Sequence, residues 1–262
     1  MKIIKIKPIN NSSRHYLKLS KFLLAKNVNF VNSTIVAKKS SFGKSQPSGR
    51  ISAWHRQRGA KKQYRPIDLL NNVGLYVTLF SSYDPNRTSF SSVVFDVVTK
   101  KFKNYISTTS VAPGCLVQIK RKLSKYRLGY RMQLQNLPTG SLINNLGNSL
   151  GTKVSYIKAA GTVGQIIDVN SEICKVRLPS NKIIEISSSR YATLGSVSNR
   201  KHNLTCKGKA GRNRNLGFRP IVRGIAMNPV DHPHGGRTNG GCVSMTPWGL
   251  PTKNKFYLKK RT

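Results

Sequence analysis

Three side chains in one short stretch have the types and spacing to do chemistry. Asp231, His232 and His234 lie within Arg223–Arg237, which reads RGIAMNPVDHPHGGR. A carboxylate beside an imidazole can orient a general base, and an H-x-H pair can hold a metal ion. Adding Cys206 and Cys242 would give zinc a ligand set, although the spacing is not a familiar one. The companions such chemistry needs are missing from the sequence. There is no nucleophile motif around a Ser or Cys, no G-x-x-x-x-G-K-[ST], no H-E-x-x-H and no acidic pair. Seven Asp and Glu residues are too few for two-metal phosphoryl transfer. Pro229 and Pro233 fix their φ angles and offer no N–H, so the stretch is neither regular helix nor central strand. Gly235 and Gly236 permit close backbone approach to something else. The reading is a rigid loop shaped to lie against a partner, with no catalytic residue and no cofactor assigned.

A second group of side chains is suited to binding polyanions. Arg50, His55, Arg56, Arg58, Lys61, Lys62 and Arg65 crowd one segment, interleaved with Trp54 and Tyr64. Cations neutralise phosphates and aromatic faces stack on unpaired bases, so the mixture suits RNA, with a solvated basic tail as the alternative. Arg87 closes the turn-forming run YDPNR, which would present its guanidinium at a strand end; a salt bridge to Asp84 is the competing use.

The whole chain shares this bias. Its 262 residues carry 46 Lys and Arg against 7 Asp and Glu, a net charge of +39. A compact body at that charge repels itself, so the sequence expects a neutralising polyanion, RNA or DNA before a membrane. No apolar run approaches the roughly 18 residues that a membrane-spanning helix needs. Residues 1–65 hold 16 basic side chains and no acid, and residues 200–262 hold 14 basic side chains with Asp231 as the lone acid. These flanks are poor in periodic apolar residues and should be ordered by a partner. The four cysteines, Cys115, Cys174, Cys206 and Cys242, form no C-x-x-C pair, which argues against a disulfide scaffold or zinc ribbon and fits a reducing compartment.

The middle of the chain must supply the elements that position these groups. Gly74–Tyr83, Ser92–Val98, Cys115–Lys120, Val154–Ala159, Val163–Val169, Ile173–Leu178 and Ile183–Ile186 are short, rich in β-branched or aromatic residues, and punctuated by turns. Short strands at this spacing point to small closed barrels, because closure removes exposed edges. Long helical periodicity and internal repeats are absent.

Several segments, taken in order, resemble one family: large-subunit ribosomal protein two in its bacterial and organellar form. They are KIKPINNSSRHYLKL, GRISAWHRQRGAKKQYRPID, YDPNR, NLPTGSLINNL, AAGTVGQ, LPSNKIIEI, RYATLGSVSN, GKAGRNRNLGFRPIVRG, the loop at Arg223–Arg237 and TPWGLPTKN. The resemblance implies a mainly β fold, an OB-like barrel followed by an SH3-like barrel, with long irregular basic extensions. The implied division is 1–63 extension, 64–125 first barrel, 126–198 second barrel and 199–262 extension. It also implies a structural part of the large ribosomal subunit, near the peptidyl-transferase region and supporting subunit association. Its partners would be large-subunit ribosomal RNA, neighbouring ribosomal proteins and the small subunit, with no membrane. The RNA-binding positions implied are Arg50, His55, Arg56, Lys61, Lys62, Arg65, Arg87, Lys158, Lys207, Lys209, Arg212, Arg214, Arg219, Arg223, Asn228, His232, His234, Arg237, Trp248 and Lys253.

This chain departs from the family's pattern in three places. Lys158 stands where the family usually carries Arg, so a bidentate phosphate fork is lost. Leu69-Leu70-Asn71 replaces aromatic and basic residues, and Gly235-Gly236-Arg237 is shorter than the usual bacterial loop. Lys5–Leu19 already resembles the family's beginning, which leaves little for a cleaved leader. The Asn-, Ile-, Lys- and Ser-rich composition marks AT-rich coding, which fits a mitochondrial ribosome first, then a plastid or an AT-rich bacterium. Two other classes remain open at this point: a general nucleic-acid architectural protein, and a metal-dependent hydrolase built on the H-x-H loop.

Overall fold

The computed structural model describes residues 2–22, 24–25, 36–37, 43–45, 47–51, 59–68, 73–121, 126–147, 154–237 and 243–252. They pack as two units, one of Met1–Ser40 with Gly59–Leu216 and one of Ser41–Arg58 with Gly217–Thr262. No helix among the described residues is long and apolar enough to cross a membrane.

The first unit is mainly β, as expected. Its opening strands β1 (Ile3–Lys5) and β2 (Leu17–Leu19) form an antiparallel hairpin, and β3 (Val36–Ala37) pairs with β4 (Gln63–Tyr64). The first barrel follows in β5 (Gly74–Ser82), β6 (Ser91–Asp96), β7 (Phe102–Ile106) and β8 (Leu116–Ile119). The second comprises β9 (Arg131–Gln133), β10 (Leu142–Asn144), β11 (Leu146–Gly147), β12 (Val154–Tyr156), β13 (Gly164–Val169), β14 (Ile173–Arg177), β15 (Ile183–Ser187) and β16 (Tyr191–Leu194). All of these except β11 and β12, which pair with each other, join one sheet in the order β15-β14-β13-β10-β16-β9-β8-β5-β6-β7. Neighbours are antiparallel except at the joint between the barrels, where β8 meets β9 in parallel at Ile119 and Arg131.

Alternation explains the outer strands. Along β14 Cys174 and Val176 turn inward while Ile173, Lys175 and Arg177 turn out, the period-2 pattern of a sheet with one wet face. Two separate cores result. Tyr76, Val94, Tyr105, Val117 and Ile119 fill the first barrel, and Met132, Leu134, Ile143, Ile166, Val176 and Ala192 are among those filling the second. Some strands without a sequence signal, β9 among them, lie at the joint, whereas β7 lies at the far edge of the sheet. β9 is buried at all three residues, including Arg131, whose Nη1 donates to the Asn145 carbonyl at 2.8 Å and to Thr193 Oγ1 at 3.2 Å. Burial pulls that guanidinium's pKa down to about 10, against the opposing influence of Tyr191.

The amino-terminal flank, expected to wait for a partner, has contacts of its own. Leu17 and Cys206 exchange backbone hydrogen bonds of 3.0 and 3.2 Å, and the Ala25 N–H donates to Ser81 O at 3.0 Å. A six-residue helix, α1 (Ala210–Asn215), follows, with Arg212 stacked 3.6 Å from the centroid of the Tyr16 ring.

The first barrel also contains a buried ion pair, Lys103 Nζ to Asp96 Oδ2 at 3.2 Å, with Asp68 at 3.6 Å from the same ammonium. Burial raises the Asp96 pKa, but hydrogen bonds from Thr99, Lys103 and Val98 outweigh it and hold the carboxyl below its ordinary 3.8. Asp96 therefore stabilises the fold fully above its unfolded pKa, and that contribution fades as pH falls through the lower folded value. Asp96→Asn should cost about 2 kcal/mol at neutral pH, the scale of a broken, partly compensated buried pair. Thermal melts of the two proteins should differ at pH 7 and draw together as pH falls from 3.8 through the lower folded value. A difference that persisted undiminished in acid would remove the ionic explanation.

Candidate nucleic-acid interface

Four cations of the first unit stand on loops of the two barrels that are tied to one residue, Thr88. Its hydroxyl accepts the Ala160 N–H at 3.0 Å, and its carbonyl accepts Nδ2 of Asn199 at 2.6 Å. Gly161 then lies so close to the next residue that an added Cβ would stand 2.9 Å from the Arg200 Cα. Its φ of +70° is one a glycine adopts without strain. Ile157 turns the chain at φ +58°, a rare left-handed value for a β-branched residue, and exposed Lys158 follows it. Arg87, Lys158, Arg200 and Lys201 are thus brought together, each on a loop fixed by backbone bonding. The sequence reading had Arg87 and Lys158 but missed Arg200 and Lys201. Their only local signal was the following basic run, because the tie to Thr88 spans 111 positions.

Arg87 makes the salt bridge with Asp84 that competed for it. Its Nε donates to the fully buried Asp84 Oδ2 at 2.7 Å, and Nη2 donates to the Arg65 carbonyl at 3.0 Å. The two uses are compatible. Asp84 and Arg65 hold the fork in place, and Nη1 remains without a partner among the described residues.

Other expected contacts divide into held and exposed groups. Lys62 donates to the Leu216 carbonyl, Arg212 to the Lys207 carbonyl, and Lys207 to Asn213 Oδ1. Arg65 and Arg214 are half-buried, whereas Lys61 and Lys209 are exposed. In the second unit, Arg50, Arg219, Arg223, Asn228 and Arg237 are exposed, and Trp248 is 61% exposed beside a turn closed by Thr246 and Leu250. Trp54, His55, Arg56, Arg58, Leu69–Asn71, Cys242 and Lys253 lie outside the described residues.

The proline loop of the second unit is bonded to itself. The Asn228 carbonyl accepts from the N–H groups of Asp231 and His232 at 3.0 and 3.2 Å, and the His232 carbonyl accepts from Gly235 at 2.8 Å. A Cβ at Gly235 would collide with the Asn228 carbonyl, so the glycine's close approach is to its own loop. His232 is only 7% exposed, with Nδ1 accepting the His234 N–H at 3.0 Å. A neutral ring here therefore carries its proton on Nε2. The ring lies against Gly224, where a Cβ would stand 2.7 Å from Cε1 and Nε2. His234 Nε2 sits 3.1 Å from the Met245 nitrogen and 3.0 Å from the Val243 carbonyl, with its ring centroid 4.9 Å from that of His232. Asp231 is exposed. The hydrogen-bonding edge a general base would use is thus occupied by backbone. Among the described residues no three His, Cys, Asp or Glu side chains gather to hold a metal ion. Cys174 is buried, which pushes its thiol pKa up to about 11.

Comparison with known proteins covers both barrels and most of the chain. Residues 31–118 match the model of the RNA binding N-terminal domain of Ribosomal Proteins L2, and residues 127–249 that of the C-terminal domain of the same family. The chain is similar to large ribosomal subunit protein uL2 of Wolbachia pipientis subsp. Culex pipiens (strain wPip), 39% identical over 260 residues, with 97% of this chain and 93% of the relative covered. The same protein of Orientia tsutsugamushi (strain Ikeda) is 39% identical over 219 residues, covering 81% of this chain and 79% of the relative. That of Rickettsia felis is 39% identical over 225 residues, covering 82% and 80%.

The geometry around His232 sets an order among its variants. In His232→Asn the side-chain oxygen can take the place of Nδ1 and keep the His234 N–H satisfied. His232→Gln puts its amide at the ε end, and His232→Ala leaves the N–H unpaired, at a cost of about 1–3 kcal/mol to the closed loop. Amide exchange at His234 should stay slow in the Asn variant and quicken in Gln and Ala. Gly224→Ala should behave like His232→Ala, since it displaces the same ring. Unchanged exchange in His232→Ala would show that the loop does not depend on this acceptor.

Proposed function

The chain belongs to the family of Ribosomal Proteins L2, and from that premise we propose that it is a structural, RNA-binding constituent of the large ribosomal subunit. It binds large-subunit ribosomal RNA near the peptidyl-transferase region, beside neighbouring ribosomal proteins, and supports association with the small subunit. The observation that carries this reading is the tie at Thr88, which presents Arg87, Lys158, Arg200 and Lys201 together from otherwise separate loops. Phosphate contacts fix the register of such a protein on RNA without reading its sequence. A general architectural protein would have the charge but no use for a surface specified by contacts so distant in sequence.

In this reading the chain is not an enzyme, and the chemistry of peptide-bond formation belongs to the RNA. The bonded state of His232 supports it, because the ring holds a loop in shape. The two barrels at 64–125 and 126–198 carry the defined surface, and the flanks at 1–63 and 199–262 extend it. Its place is an organellar ribosome, mitochondrial before plastid, with the cytoplasm of an AT-rich bacterium as the alternative. The AT-rich character of the composition and the α-proteobacterial origin of the relatives support that assignment.

Affinity for a large-subunit ribosomal RNA transcript should fall steeply with salt, by about 0.7–0.9 log units per neutralised phosphate for each tenfold rise. Replacing Lys158, Arg200 and Lys201 together by Ala, all three exposed, should leave the fold intact and reduce that slope by about 2. Filter binding across a salt series measures both. A slope unchanged by the triple substitution would place the RNA elsewhere on the protein, and a flat wild-type slope would remove the electrostatic basis of the reading.

A further inference from the structure

A cleft of about 480 Å³ opens beside the Thr88 tie, where the β1–β2 hairpin, the turn Tyr83–Thr88 and the segment Asn199–Lys207 meet. Pockets of roughly 300–1,000 Å³ suit small ligands, and a nucleotide is of that class. The walls carry Lys18, Lys21, Arg87 and Lys207, with Phe90 buried behind them. Tyr83 is 41% exposed in the same wall, with Lys21 Nζ 4.0 Å from its ring centroid. Among the described residues no carboxylate lines the cleft. The adjacent Asp84 is fully buried and engaged by Arg87 and Asn86.

A hollow walled by cations, with an accessible aromatic face and no opposing acid, fits a phosphate joined to a flat ring. We propose that this cleft holds one unpaired nucleotide of the bound RNA, its phosphate among Lys18, Lys21 and Lys207 and its base against Tyr83. The inference rests on the RNA-binding reading above and adds a site to it. A base in a duplex could not enter, so the RNA must present a bulged or looped-out residue here. Base stacking on an aromatic ring is sequence-tolerant, and the lysines hold a phosphate as point charges, so the cleft selects an unpaired state before it selects a base.

Cys206 lines the cleft and its residue is exposed, which provides a native reporter. Cys115→Ser and Cys242→Ser leave buried Cys174 as the other thiol. Alkylation of Cys206 by iodoacetamide is then followed in the full chain, free and bound to a large-subunit ribosomal RNA transcript, with gel shift of the same samples reporting complex formation. Bound RNA should slow alkylation about tenfold, the free fraction left when RNA stands at ten times its Kd. Tyr83→Leu should restore most of the reactivity in a complex that still shifts, while Tyr83→Phe should keep the protection. Full reactivity of Cys206 in a shifted complex, or equal protection with Leu and Phe at position 83, overturns the cleft and leaves the RNA-binding reading standing. Failure of the gel shift itself overturns that reading. Protection by millimolar uridine monophosphate but not by RNA would assign the cleft to a free nucleotide and overturn the proposal.

Discussion

Carboxylates are scarce in this chain, and main-chain carbonyls take their place. With 7 acids for 46 cations, few basic side chains can be paired in the ordinary way. Among the described residues the ion pairs use Asp68, Asp84 and Asp96, all in the first barrel or at its edge. Several other cations donate to peptide oxygens, Lys62 to Leu216, Arg131 to Asn145 and Arg212 to Lys207, and Arg87 donates to Arg65 O besides its ion pair. A carbonyl satisfies an N–H without cancelling its charge. The cations are therefore oriented by the fold while their field remains directed outward, a condition a polyanion exploits and a carboxylate would spoil.

The same constraint separates what was legible in the sequence from what was not. β5, β6, β8, β13, β14 and β15 announce themselves by alternation or by β-branched runs, because each has neighbours of ordinary kind. β9, β10 and β16 do not. Each is three or four residues long, and each carries buried polar side chains, Arg131, Gln133, Asn144 and Thr193. Two of them bond to backbone elsewhere in the second barrel, Arg131 to Asn145 O and Asn144 Nδ2 to Gly195 O, both at 2.8 Å. No local pattern encodes a bond made 51 residues away. The cationic surface divides likewise. Arg87 is marked by a turn motif and Lys158 by a resembling segment, but the link through Thr88 that unites them exists only in three dimensions.

His232 illustrates how residue type can mislead when geometry is missing. An imidazole beside a carboxylate invites a catalytic reading, and the tandem glycines after it suggest approach to a foreign backbone. In the structure the glycine at 235 clears its own loop, and the one at 224 clears the His232 ring. The ring's Nδ1 accepts the His234 N–H, so the side chain acts as an acceptor within its own turn. An imidazole used in this way supplies a flat, hydrogen-bonding wedge whose value lies in its shape and acceptor. Proline at 229 and 233 makes the arrangement inexpensive, since the φ angles they fix need not be ordered on folding. The loop's exposed residues include Asn228, Val230, Asp231 and Arg237. The same few residues thus make the loop rigid from within and leave a mixed polar and apolar face, with Val230 the most exposed, on its outside.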